Sequence, residues 1–199
     1  MVLQKLKKSS TLYGVLLTLF AGVGLLASFT LLHETFLVAN DANYAPSCNI
    51  SPLLSCESAM KSEYGESFGI PNPAFGIAAF SALGVFGVLL LAGTSFAKWI
   101  WRLALVAATA GLAFALYLYS VAIFALGSVC PWCFVTWLVT IGATWAVVTY
   151  TLKANIFTVP TWVKPYATFW RKNPGLVLAI AYAALIFGLL LRFYESLFV

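Results

Sequence analysis

The sequence predicts an all-α integral membrane protein of five transmembrane helices with one long extracytoplasmic loop carrying a cysteine pair. Three observations predict it. Of 199 residues, 62% are hydrophobic and only 9% charged, far from the balance of a soluble domain. Apolar stretches long enough to cross a hydrocarbon core, which takes about 20 helical residues, recur along the chain. The basic residues gather in alternate connections.

The expected spans are about 11–32, 73–93, 101–126, 129–151 and 174–191, in a single membrane domain over residues 1–199. The first apolar run exceeds the ~7–15 residues of a cleavable signal, and Ala42-Asn43-Tyr44 is a poor cleavage match, so the first span is expected to be retained. Lys5, Lys7, Lys8, Lys98, Arg102, Lys153, Lys164, Arg171 and Lys172 fall on one side of this five-span chain, with only Lys61 and Arg192 opposite. By the positive-inside rule the lysine-rich side is cytoplasmic, which puts the N-terminus inside a plasma or inner membrane. The net charge of +5 then reflects topology and gives no reason to expect nucleic acid. Membrane lipid is the expected surrounding.

Residues 33–72 form the longest polar stretch and hold Cys48 and Cys56. Within it, residues 55–60 are expected to make a short helix capped by Ser55, with Glu57 near its positive end. Phe68-Gly69-Ile70-Pro71 reads as an apolar return to the membrane surface. Residues 153–173, with Pro160, Trp162, Pro165, Tyr166 and Trp170, suggest a segment along the cytoplasmic interface, the depth that Trp and Tyr favour.

Cys130-Pro131-Trp132-Cys133 stands where the fourth span begins, on the same side as the loop cysteines. Cysteines at i and i+3 of a first helical turn face one another, and the helix N-terminus favours the thiolate of the first. Ser128 can cap this helix, and proline is tolerated in its first turn. The bland reading of an isolated CxxC is two small buried apolar residues. A helix start, a disulfide-permissive compartment and a second pair on the same face favour redox chemistry instead. Four thiolates also suffice for tetrahedral zinc, but the Cys48/Cys56 spacing is long for a zinc knuckle, and no metal is expected.

Cys48-Asn49-Ile50-Ser51-Pro52-Leu53-Leu54-Ser55-Cys56, then Phe68 to Gly76 (FGIPNPAFG), then Cys130-Pro131-Trp132-Cys133 resemble the vitamin K epoxide reductase family, with the bacterial branch lacking a fused thioredoxin domain the nearest match. The resemblance spans roughly residues 11–151. It implies a four-helix bundle around a quinone of the menaquinone, ubiquinone or vitamin K type, and an electron relay. A separate thioredoxin-like extracytoplasmic thiol oxidase would meet Cys48, Cys56 would exchange with Cys130, and Cys133 would face the quinone. A flexible loop pair meeting a soluble partner, with the helix pair held at the membrane, agrees with that order.

By the same resemblance Asn72 matches a side chain that hydrogen-bonds a quinone oxygen, although Asn between two prolines is also ordinary turn chemistry. Phe75, Tyr117, Trp132 and Trp137 are candidates to wall an aromatic ring pocket; packing is the alternative for each. Trp137 stands where vertebrate members carry Tyr, and its indole donates but does not accept. Tyr64 replaces a Trp of the family pattern. His33 and Glu34 read as a polar flank of the first span rather than a proton relay. The expected activity is quinone-linked reoxidation of a thiol oxidase for disulfide bond formation. The alternatives are a vitamin K epoxide or quinone reductase of the endoplasmic reticulum type, and a non-catalytic scaffold with structural disulfides. The unrelated quinone-linked disulfide oxidase with a four-helix bundle has its pairs in the opposite order.

Overall fold

The computed structural model describes residues 2–41, 43–67 and 69–198; of residues 2–9 and 195–198 it describes the backbone alone. The expected apolar return at Phe68 and the basic side chains of Lys5, Lys7 and Lys8 therefore lie outside the described residues. The elements are α1 (Val2–Asn40), α2 (Glu57–Met60), strands β1 (Glu66–Ser67) and β2 (Ile70–Pro71), α3 (Asn72–Leu91), α4 (Lys98–Val121) with a π-helical turn (Ala122–Leu126), α5 (Pro131–Lys153), α6 (Lys164–Lys172) and α7 (Pro174–Phe198). Among the described residues five helices, α1, α3, α4 with its π-turn, α5 and α7, are long and apolar enough to cross a membrane. The protein is an all-α, multi-pass membrane protein.

Local chemistry sets the ends. Proline opens α5 and α7 and stands at the second position of α3 and α6, first-turn sites where the missing amide would have no helical partner. α1 runs past Leu32 to Asn40, about two turns beyond the expected span. Glu34 is buried there, and Thr35 and Asn40 donate to carbonyls one turn back, so the polar residues continue the helix instead of starting a loop. Gly127, in the left-handed region at φ 64°, ends the π-turn.

α5 lies at the centre, burying Trp137, Val139, Ile141, Ala146 and Val147 among others. α1 and α4 pack against it, α3 lies along α1, and α7 touches it through Tyr182, whose hydroxyl donates to the Leu138 carbonyl at 3.1 Å. Lipid tails are as apolar as the side chains, so close backbone approach rather than hydrophobic contrast holds such helices together. The α1–α3 crossing shows this at Gly87, where a Cβ would lie 2.8 Å from the Thr18 backbone nitrogen. At one end of the bundle Tyr13, Leu17, Leu90, Trp101 and Val147 pack together, with Trp101 stacked on Tyr150 at 4.0 Å. At the other end all four cysteines collect.

Candidate active site

The loop between α1 and α3 is tied down at three places. Near its start the buried Glu34 carboxylate accepts from the Tyr44 hydroxyl at 3.0 Å and from both the hydroxyl and the backbone N–H of Ser47, the residue before Cys48. Between the cysteines, the Asn49 side chain bridges the two arms. Its Oδ1 accepts from Cys56 N–H at 3.0 Å, Glu57 N–H at 3.2 Å and Ser55 Oγ at 3.1 Å, while Nδ2 donates to Glu57 Oε2 at 2.9 Å. Asn49 thus satisfies the first amides of α2, the task of a helix cap. Ser55 makes the lesser contribution, accepting from Ser58 N–H at 3.4 Å, and α2 begins at Glu57 rather than Ser55.

The third tie joins the loop to the start of α5. Val129 N–H donates to the Leu53 carbonyl at 2.8 Å, and Ser55 N–H to the Val129 carbonyl at 3.2 Å. The Ser58 and Ser128 hydroxyls also hydrogen-bond each other. Ser128 therefore holds α2 instead of capping α5. The cap of α5 is Cys130, whose Sγ accepts from the Cys133 N–H at 3.3 Å.

These ties bring the sulfurs together. Cys48 and Cys56 form a disulfide, Cys130 and Cys133 are free thiols, and Cys130 Sγ lies 3.2 Å from Cys56 Sγ. The loop pair is not the flexible, accessible pair expected from sequence. Cys48 is 5% exposed and Cys56 0%, packed with Leu31 and Cys130 beneath Ala59, Met60 and Trp132. A hydrogen bond from Cys133 lowers the Cys130 thiol below its ordinary pKa, backbone N–H groups of Cys133 and Trp132 add to this, and burial opposes it.

Below the cysteines is a cavity of about 880 Å³ between α1, α3, α4 and α5, lined by Cys130, Cys133, Asn72, Phe75, Phe114 and Trp137 among others. Its size and apolar walls suit a flat, largely hydrocarbon ligand. Cys133 and Trp137 share a face of α5 because they stand four residues apart. Phe75 meets Phe114 edge to face at 6.2 Å.

Tyr117 and Trp132 are not among the cavity-lining residues. Phe114 and Leu118 line it, one turn apart on α4, so Tyr117 is rotated away. It is 50% exposed, beside a shallow groove shared with Tyr64 and Phe124. Trp132, one residue before Cys133, turns toward the cysteine cluster and covers it. Asn72 lines the cavity, but its amide is already engaged. Nδ2 donates to the Tyr64 carbonyl at 2.6 Å and Oδ1 accepts from Ser67 at 2.7 Å, leaving one N–H for a ligand.

Glu34 and Asn49 are the site residues that the sequence reading passed over or set aside. Asn49 carries a signal in retrospect, a capping residue beside the first cysteine with Glu57 beside the second.

The fold and this site define a class: a membrane-spanning helical protein that brings a disulfide and a vicinal thiol pair together above an apolar cavity. The model of the Vitamin K epoxide reductase family matches residues 15–148, more than half of the chain, and the chain belongs to that family. Comparison with curated proteins finds no match. Membership makes the chain an oxidoreductase and supports a quinone-linked redox function. α6 and α7 lie beyond the matched residues.

Proposed function

We propose that this chain is a thiol–quinone oxidoreductase, one membrane domain that reoxidises a thioredoxin-like thiol oxidase on the extracytoplasmic side and thereby drives disulfide bond formation. The observation that carries the reading is the 3.2 Å approach of Cys130 Sγ to Cys56 Sγ, with Cys133 at the cavity wall. Thiol–disulfide exchange joins the attacking and attacked sulfurs directly, and the lowered pKa of Cys130 makes it the better leaving thiolate when the outer disulfide is restored.

In the proposed relay a partner thiolate attacks Cys48 Sγ, breaking the Cys48–Cys56 bond and releasing the Cys56 thiolate. The second partner thiol then closes the partner's own disulfide and frees Cys48. Cys56 attacks Cys130 of the oxidised inner pair, releasing Cys133. Cys48 next attacks Cys56, restoring the outer disulfide and leaving two inner thiols. That distribution, an outer disulfide above two inner thiols, is the one the structure holds.

A quinone in the cavity would accept two electrons and two protons as Cys130 and Cys133 close to a disulfide. Cys133, Asn72, Phe75 and Trp137 would bind it, and the apolar walls would exclude water. Tyr117 and Trp132 would act outside the cavity, at the shallow groove and over the cysteines. A partner would approach across Ile50 and Leu54, exposed residues between the two cysteines in the chain, and would have to uncover Cys48, which is buried here.

The test is quinone-dependent oxidation of a reduced thioredoxin-fold protein by the purified chain in detergent. One disulfide should form per quinone consumed, with activity lost when any of the four cysteines is replaced. Consumption of vitamin K epoxide but not quinone would favour the epoxide reductase alternative.

A further inference from the structure

We propose that Ser28, on α1, is a hydrogen-bond donor to a ring oxygen of the quinone held in the central cavity. The inference rests on the quinone reading above and adds a contact to it from a helix that carries no cysteine.

Ser28 is 1% exposed and lines the cavity. Its hydroxyl makes no hydrogen bond among the described residues, and since no buried side-chain polar atom of those residues lacks a partner, the oxygen opens on the cavity that Ser28 lines. The other hydroxyls along this cavity differ. Thr35, Thr136 and Thr140 donate to carbonyls of their own helices, and Thr144 to the Ala108 carbonyl. A hydroxyl that opens on an apolar cavity with no protein partner is left for a ligand or water to satisfy. An unspent donor in the wall of a large apolar cavity is the pattern of a ligand contact.

Gly76 keeps that donor in place. A Cβ on Gly76 would collide with Ser28 Oγ, so glycine leaves the hydroxyl its room between α1 and α3. Gly76 stands one turn of α3 below Asn72 and also lines the cavity. Asn72 and Ser28 thus present donors at two levels of one wall, about 6 Å apart along the axis. A flat ring with oxygens at two edges suits that spacing.

The chemistry of the hydroxyl also suits a ligand that changes redox state. A serine hydroxyl donates to a carbonyl and can turn to accept from the hydroxyl that replaces it after reduction; the Trp137 indole only donates.

The probe is a menaquinone with a short prenyl tail, isotopically labelled at its carbonyl carbons and added to the full chain in lipid nanodiscs. Ser28→Ala should bind it about threefold to tenfold more weakly and move one carbonyl stretch to higher frequency. Ser28→Thr, which keeps the hydroxyl, should retain the wild-type band. Exchange between the loop disulfide and a thioredoxin-fold protein should be unchanged. Ser28→Gly removes the same donor without adding bulk and reads the contact if Ser28→Ala folds poorly. Binding by the wild type with affinity and carbonyl bands unmoved in Ser28→Ala and in Ser28→Gly would overturn the Ser28 contact alone. No binding by the wild type would overturn the quinone reading and the contact with it.

Discussion

Asn49→Ala is expected to make the loop disulfide easier to reduce. Its side chain makes four hydrogen bonds that close the loop from Cys48 to Cys56. The two to the amides of Cys56 and Glu57 resemble a helix cap, worth about 0.5–2 kcal/mol. The two to side chains add about 0.5–1.5 kcal/mol each at most, less where water competes. Taking about 1.4–2.8 kcal/mol as the part present in the closed loop and lost when it opens, the paired thiols lose about tenfold to a hundredfold in effective concentration. For a two-electron couple that raises the reduction potential by about 30–60 mV. Equilibration of a variant lacking Cys130 and Cys133 against glutathione buffers, with and without Asn49→Ala, measures it. Asn49→Asp keeps the acceptor but repels Glu57, so its shift should be smaller. An unmoved potential in Asn49→Ala would refute the claim that this side chain holds the pair together.

Other outcomes follow from the same geometry. Asn72→Ala loses its bonds to Tyr64 and Ser67, about 1–3 kcal/mol in all, so amides of residues 64–67 should exchange faster and quinone turnover should fall several-fold; wild-type turnover at limiting quinone would remove Asn72 from the site. Because the thiolate is the nucleophile and the Cys130 pKa is lowered, exchange with Cys56 should rise with pH and level off earlier than for an ordinary thiol of about 8.5. Cys133→Ser keeps a donor to Cys130 and should preserve that early plateau, whereas Cys133→Ala should move it to higher pH; identical profiles would refute the cause given. Single cysteines at Ser9 and Ser196 in a cysteine-free background should react with an impermeant label from opposite sides of the membrane, the N-terminal one from inside; labelling of both from outside would refute the proposed orientation.

Much of the fold was legible because burial in lipid demands long apolar helices, and hydropathy reports length directly. It reports rotation poorly. A helix that is apolar all round has no contrast between lipid face and protein face, so nothing in the sequence separates Phe114, which lines the cavity, from Tyr117, which does not. The gathering of the cysteines at one end followed from span count and charge. Their approach to 3.2 Å did not, since it depends on backbone pairing of Leu53 and Ser55 with Val129, which no residue pattern announces. The same holds for Glu34. Hydropathy makes it the end of a span, whereas the continued helix and the returning Ser47 turn it into a buried anchor.

The most direct test of the account is the disulfide that accumulates when the last thiol of the relay is removed. In Cys133→Ala, Cys130 has no resolving partner, and its attack on Cys56 frees Cys48, which alkylation then blocks. Cleavage at a protease site engineered near Lys98 separates the half carrying Cys48 and Cys56 from the half carrying Cys130. The account predicts halves joined on a non-reducing gel and apart on a reducing one, a Cys56–Cys130 peptide by mapping, and no quinone turnover. A chiefly Cys48–Cys130 link would contradict the assigned order of exchange, and full quinone turnover without Cys133 would contradict the relay itself.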